Sequence, residues 1–170
     1  MKKVHLSHEI NCSAEVFWKL YFDPVFTEAV LREAIKVDEF KVVKQEENEL
    51  EIVRITTGKP RISAPAAVQK IIGNNFSYTE EARFDRKAQT VRWKISLSTF
   101  TDKTRNEGVL RVEPIGPDRI RRIADAEVEA RIFGMGGMME SGMEKQMLEG
   151  WAAGAEFTNR WIAAGKAPAA

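Results

Sequence analysis

Histidine changes protonation near neutral pH, and one of the two histidines of this chain stands in an apolar pattern. His8 alternates with Val4, Leu6 and Ile10, which predicts that it lies on the buried face of a strand. There it could donate a hydrogen bond to a ligand or transfer a proton, or it could simply be hydrogen-bonded within the core. His5 has the opposite parity, so the two histidines cannot chelate one metal ion from a regular strand.

Glu80 is a second ionisable residue in an apolar pattern. It alternates with Phe76, Tyr78, Ala82 and Phe84. A buried carboxylate needs a partner or a proton, and Arg54 and Arg122 hold comparable positions on other predicted strands. A Glu80–arginine pair inside the protein could anchor the polar head of a ligand. A bulge that shifts the strand register would instead expose Glu80 to solvent.

Other kinds of chemistry lack support in the sequence. Cys12 is the single cysteine, which excludes an internal disulfide and leaves too few ligands to predict a metal site. Gly134, Gly136 and Gly137 stand between a strand and a helix as in a dinucleotide-binding loop, but no parallel strand follows, so we interpret them as a turn. No Ser-His-Asp set can be justified either, and we predict no catalytic residue, metal or cofactor.

Composition narrows the class of protein. The 170 residues are 44% hydrophobic and 30% charged, enough to build the core of one domain. With 26 Lys+Arg against 25 Asp+Glu, we expect no nucleic-acid partner. No apolar run is long enough for integral membrane contact, and the first residues do not resemble a signal peptide. We therefore expect a cytoplasmic protein that is a monomer or a weak homodimer.

Local patterns predict a strand, two short helices and then a long series of strands. The first strand runs from Lys3 to Cys12, and Ser13 and Asp23 are typical N-caps for helices over 14–21 and 24–34. Period-two alternation then predicts strands at Val37–Gln45, Leu50–Thr57, Phe76–Phe84, Thr90–Phe100, Asn106–Glu113 and Arg119–Ile132. Between them, Ala66–Ile72 favours a short helix, with a strand as the alternative.

A long amphipathic helix is predicted after Gly137, from about Met138 to Ala164. Its apolar stripe steps by four residues through Met139, Met143, Met147, Trp151 and Ala155. The methionines are either core or an adaptable pocket wall. Gly142, Gly150 and Gly154 form a neighbouring row, which we interpret as a place where the helix approaches the sheet closely. On the last strand Ala124, Ala126 and Ala130 share the inner face and should leave room for a ligand.

This order of elements resembles the helix-grip fold of the START-like, or Bet v 1-like, superfamily of polyketide cyclases and lipid-transfer proteins. The segments that carry the resemblance are residues 10–18, 76–85 and 156–162, and the sequence is most similar to an uncharacterised bacterial branch. The resemblance implies an α+β fold in which a curved antiparallel sheet of about seven strands wraps around the C-terminal helix. We expect a single domain over 1–165 and a frayed tail over 166–170.

The helix-grip fold implies a pocket between the sheet and the long helix. We predict that it binds a hydrophobic or amphipathic small molecule, either a lipid or a polyketide-like compound, without a cofactor. The predicted ligand-binding residues are His8, Tyr78, Glu80, Trp93, Arg122, Met139, Met143, Met147 and Trp151. The alternative is an aromatase/cyclase-type enzyme in which His8, Glu80 or Arg122 assists proton transfer. We favour the binding protein, since the enzyme hypothesis depends mostly on fold analogy.

Overall fold

A computed structural model of the chain describes residues 1–60, 69, 72, 73 and 76–169. Its main element is a curved, seven-stranded antiparallel sheet with the order β1-β7-β6-β5-β4-β3-β2. The strands are β1 (Lys2–Ile10), β2 (Val37–Glu47), β3 (Glu51–Pro60), β4 (Tyr78–Asp85), β5 (Thr90–Leu97), β6 (Thr104–Gly116) and β7 (Arg119–Ala130). The predicted α+β helix-grip fold is confirmed. The predicted short helix at 66–72 lies almost entirely outside the described residues.

Two short helices follow β1, as the capping residues predict. The Ser13 hydroxyl accepts a hydrogen bond from the Val16 amide at the start of α1 (Ala14–Phe22). Asp23 caps α2 (Pro24–Ala29) in the same way, and its Oδ1 lies 2.7 Å from the Phe26 amide nitrogen. Both caps fix the direction in which the chain leaves the strand.

The second helix was expected to continue to residue 34, and here the structure differs. After Ala29 the backbone widens into a π-helical segment, Val30–Ile35, which ends where Lys36 adopts a left-handed conformation with φ of 61°. The Lys36 amide bonds to the Leu31 carbonyl, five residues back, which closes the wider turn. π-helical turns are often found at functional sites, and this one faces the interior cavity described below.

The strands keep their predicted inner faces because the central pairings run without bulges. Register shifts occur only in β2 and near the end of β6 among the strands described. β4 pairs regularly with β3 and β5, so Glu80 stays on the same face as Ala82 and Phe84. On β5 the alternating residues Val91 and Trp93 are buried in the core.

The C-terminal helix α3 (Gly136–Ala163) lies across the inner face of the sheet. It packs on β1, β7 and the π-helical segment. The glycine row does not approach the sheet as expected. A Cβ atom at Gly150 or Gly154 would lie 3.9 Å from Ile35 or Val30 of the π-helical segment, and one at Gly142 would meet nothing within 4 Å. The missing side chains therefore leave space between two helical elements.

Residues after α3 contact the body of the protein, although the sequence favours a frayed tail. The indole nitrogen of Trp161 donates to the Lys166 carbonyl oxygen, and Lys19 Nζ donates to the Ala169 carbonyl oxygen. Within the part of the chain that the structure describes, no helix is long and apolar enough to cross a membrane.

Candidate functional site

A cavity of about 180 Å³ lies between the sheet, the π-helical segment and the second half of α3. Most of its wall is apolar or aromatic, with contributions from α1, α2 and the inner faces of β3, β4, β6 and β7. The described wall consists of Phe17, Leu20, Tyr21, Phe26, Thr27, Val30, Leu31, Ile35, Phe40, Arg54, Thr56, Tyr78, Glu80, Leu110, Arg122, Gly150, Trp151, Gly154 and Thr158. Ile35 is also 42% exposed, which places it at the rim.

Arg54 is a buried guanidinium in this wall, on the inner face of β3. Its Nη1 donates to the Tyr21 carbonyl oxygen at 2.7 Å and to the Thr27 hydroxyl at 3.2 Å. The guanidinium carbon lies 4.9 Å from the centre of the Tyr21 ring and 5.1 Å from that of Phe22. These contacts hold the cation by cation–π attraction and hydrogen bonds to uncharged groups. Its Nε is buried without a hydrogen-bond partner.

Arg122 supplies a second buried guanidinium from β7. Its Nη2 donates to the Trp151 carbonyl oxygen at 2.7 Å and lies 3.3 Å from His8 Nδ1, while the guanidinium carbon lies 4.7 Å from the Trp151 ring centre. Burial lowers the pKa of Arg122 to about 10, so it stays charged at neutral pH. Like Arg54, it has a buried Nε with no partner.

Glu80 provides the one carboxyl group in the described wall. It is enclosed by protein but keeps some accessible surface, because it borders the cavity. Burial raises its pKa, and the nearby Arg54 charge only partly opposes that effect. Within the described residues, no arginine nitrogen lies within the 4.0 Å limit of an ion pair with Glu80. Of the two alternatives for Glu80, exposure through a register shift does not occur, and in place of a direct arginine pair the structure has separate charged groups around one cavity.

Tyr21 and Tyr78 add two phenol groups to the wall. Burial, followed by the Glu80 charge, raises the pKa of Tyr21 to about 12, and the charges of Arg54 and Arg122 act in the opposite direction. Burial and Glu80 also raise the pKa of Tyr78. Both phenols are neutral at physiological pH. The Tyr78 ring lies over Gly58, where a Cβ atom would come within 2.7 Å of it.

Four of the nine predicted ligand-binding residues meet at this cavity: Tyr78, Glu80, Arg122 and Trp151. His8 is outside the described wall, next to Arg122, and burial together with the Arg122 charge lowers its pKa. Trp93 lies one layer behind Trp151, with ring centres 5.5 Å apart, and covers Gly108. That a ligand contacts the four wall residues stays a prediction.

The methionines of α3 and the alanines of β7 lie outside the described cavity wall. Met139 and Met147 are buried, and Met143 is half-buried against the core. The three alanines on β7 are buried too. Both interpretations of the methionine stripe, core and pocket wall, predict this burial, so contact of a ligand with Met139, Met143 and Met147 stays a prediction.

Sequence reasoning did not select the side of the cavity formed by α1, α2 and the π-helical segment. Tyr21, Thr27, Leu31 and Ile35 belong to that side. Arg54 was considered only as a partner for Glu80. Its alternation with Ile52 and Thr56 was the available signal that it faces inward.

A larger hollow, of about 580 Å³, lies on the outer face of the sheet. Five of its ionisable side chains, those of His5, Arg105, Glu107, Asp125 and Glu127, pair with one another. Arg105 lies 2.6 Å from Glu107 and 3.1 Å from Glu127, and His5 bonds to Asp125 at 2.6 Å. This pattern is typical of a solvated sheet face. Among the described residues, no group of three His, Cys, Asp or Glu side chains could hold a metal ion.

Several solved structures share this fold. The protein TTHA0849 from Thermus thermophilus superposes with a TM-score of 0.70 at 18% identity, over 96% of this chain and 99% of that one. The Zhui aromatase/cyclase from Streptomyces sp. R1128 gives 0.65 at 14% identity, over 96% and 98%. Norcoclaurine synthase from Thalictrum flavum gives 0.65 at 14% identity, over 98% and 89%. At these identities the likeness shows the fold alone.

Sequence comparison identifies the family. No curated protein matches this chain. A family described as "Protein of unknown function (DUF2505)" matches residues 5–162, nearly the whole length. The chain therefore belongs to the DUF2505 family and has the START/Bet v 1-like fold.

Proposed function

We propose that this protein binds a compact hydrophobic or amphipathic molecule in the cavity between the sheet, the π-helical segment and α3. The cavity itself is the observation that carries the proposal. Its wall is mainly aliphatic and aromatic, and a few polar groups are placed where they could orient a ligand. Transfer of apolar ligand surface from water to such a wall is favourable by about 25 cal/mol per Å².

The volume limits the size of the ligand. A cavity of 180 Å³ is smaller than the roughly 300–1,000 Å³ of sites for drug-sized molecules and close to the roughly 150 Å³ that holds a benzene molecule. It suits a compound of one or two rings, on the order of ten non-hydrogen atoms. This favours a single ring unit, of the kind found in polyketide-like compounds, over an extended lipid chain. The norcoclaurine synthase structure, with dopamine and hydroxybenzaldehyde, is an example of this fold with single-ring compounds.

Native mass spectrometry of the protein purified from its own source tests the proposal. We expect a stoichiometric adduct of about 200 Da or less, the mass of a molecule of that size, which organic extraction releases for identification. A variant with a filled cavity, Gly150→Leu, should lose the adduct, and Gly142→Leu, on the same helix, should keep it. Retention of the adduct by Gly150→Leu would place binding elsewhere.

A second candidate function is an enzyme of the aromatase/cyclase type that uses the same cavity. The raised pKa of Glu80 favours it, because a buried carboxyl group with a pKa nearer neutrality can give and take a proton. Glu80→Gln should then remove turnover of a bound compound and leave its binding in place. Unchanged turnover in Glu80→Gln would exclude Glu80 as the proton-transfer group.

The remaining parts of the proposal concern the setting of the protein. We infer a cytoplasmic location, supported by the single buried cysteine, and an association no stronger than a weak homodimer. The near balance of basic and acidic residues supports a small-molecule partner rather than nucleic acid.

A further inference from the structure

The cavity wall has more positive than negative charge. Arg54 and Arg122 reach it from β3 and β7, which are not neighbours in the sheet, because the sheet curves around the interior. Glu80 is the one acidic residue in the described wall. The two tyrosines are neutral, and His8 stands outside the wall. The described part of the wall therefore has a net charge of +1 when Glu80 is ionised and +2 when it is protonated.

Arg54 presents an unused hydrogen-bonding edge. Its Nη1 is occupied by the Tyr21 carbonyl oxygen and the Thr27 hydroxyl. Its Nε is buried without a partner, and no hydrogen bond to Nη2 is found among the described residues. In a guanidinium group, Nε–H and one Nη–H point the same way and bind both oxygens of one carboxylate. Among the described residues, the protein thus holds Arg54 through its Nη1 and the Tyr21 side chain and gives its Nε no hydrogen-bond partner.

Arg122 adds a second cation without an acidic partner. Its described contacts are the Trp151 carbonyl oxygen, His8 and the Trp151 ring, all of them uncharged when His8 is neutral. Burial and the Arg122 charge both favour neutral His8 by lowering its pKa. A buried cation is costly unless a negative charge compensates it, and no acidic side chain among the described residues pairs with Arg122.

We propose that the cavity selects organic anions, namely compact ring compounds with one carboxylate that the Nε and Nη2 edge of Arg54 binds and the Arg122 charge attracts. The ring would lie against the aromatic wall near Trp151. Protonated Glu80 could donate a hydrogen bond to the same carboxylate, so it need not repel the ligand. The inference rests on the proposed function and adds the charge class of the ligand to it.

Matched probes test the charge preference directly. Protein freed of bound molecules by unfolding and refolding is titrated calorimetrically with benzoate and with benzyl alcohol, which have similar size and different charge. We expect benzoate to bind at least tenfold more tightly at pH 7. Arg54→Lys keeps the charge but loses the two-donor edge, and should weaken benzoate binding about tenfold with benzyl alcohol little changed.

Arg32→Gln is the control, because Arg32 is exposed, pairs with Glu28 and stands outside the described cavity wall. It should bind both probes as the unmodified protein does. Equal or tighter binding of benzyl alcohol to the unmodified protein would overturn the anion inference and leave the proposed function standing. Failure of both probes to bind would overturn the inference and the proposed function together. The comparison of probes needs no variant, so it holds even if Arg54→Lys does not fold.

Discussion

Filling the cavity from α3 should stabilise the protein and abolish ligand binding at the same time. Gly150 borders the cavity, and a Cβ atom there would make an ordinary contact of 3.9 Å with Ile35 Cγ2. Leucine at this position would direct its remaining carbons into a space of about 180 Å³. We therefore expect Gly150→Leu to fold with the side chain in the place of the ligand.

The size of the effect follows from two contributions. Replacing a glycine inside a helix by leucine raises the free energy of unfolding by about 0.8 kcal/mol through helix propensity. Burying the leucine side chain adds about 1.5 kcal/mol or more, so the total is about 2–3 kcal/mol. For a chain of this size that corresponds to a rise in Tm of about 4–12 °C. Gly142 is exposed with no atom within 4 Å, so Gly142→Leu should give only the first contribution, about 2–3 °C.

Calorimetric unfolding and benzoate titration of both variants, each free of ligand, measure these effects. Gly150→Leu should be the more stable variant and should show no binding, while Gly142→Leu should bind as the unmodified protein does. The reasoning fails if Gly150→Leu is less stable than Gly142→Leu, because the space beside Gly150 would then be unable to hold a side chain. It also fails if Gly150→Leu binds benzoate normally.

Three further predictions concern other buried groups. Gly108→Ala should lower the free energy of unfolding by about 1–3 kcal/mol, since its Cβ would lie 2.4 Å from the Trp93 ring. Gly137→Ala should not lower the free energy of unfolding, because a Cβ atom there meets nothing within 4 Å. Equal Tm values for Gly108→Ala and Gly137→Ala would contradict the close packing of Trp93 on Gly108. Because the folded-state pKa of Glu80 is raised, its contribution to stability is lost as pH rises from the ordinary value of 4.5 through the folded-state value. Glu80→Gln should therefore become more stable relative to the unmodified protein as the pH rises above about 4.5, as measured by denaturant titration, and a stability difference that does not change with pH would refute this reasoning. Burial raises the pKa of Cys12 to about 11, so Ellman's reagent at pH 8 should react only after unfolding, and rapid reaction of the folded protein would contradict the burial.

The strands and their inner faces were predictable because side-chain alternation depends on local sequence alone. Arg54, Glu80 and Arg122 all keep the parity that their apolar neighbours indicate, since no bulge interrupts β4 or the middle of β7. The caps Ser13 and Asp23 were equally visible, because a capping side chain bonds to a backbone amide three residues along.

The extent of the cavity could not be predicted in the same way. An inward side chain can fill space or border it, and which one happens depends on what packs opposite. The methionine stripe and the β7 alanines face inward as predicted, yet they stand outside the described cavity wall. The cavity wall lies instead beside the second half of α3. There the π-helical segment that follows α2 faces Gly150 and Gly154.

The sequence by itself determined the order of elements, the helix-grip architecture and the inward direction of the charged residues, because periodicity and capping act over a few residues. Only the tertiary structure decided which inward residues share a cavity. Sheet curvature brings Arg54 and Arg122 together from separate strands, and the packing of α3 leaves both without an acidic partner in the part of the chain described. Such long-range placement depends on the sum of packing contacts across the whole interior and has no local signal in the chain.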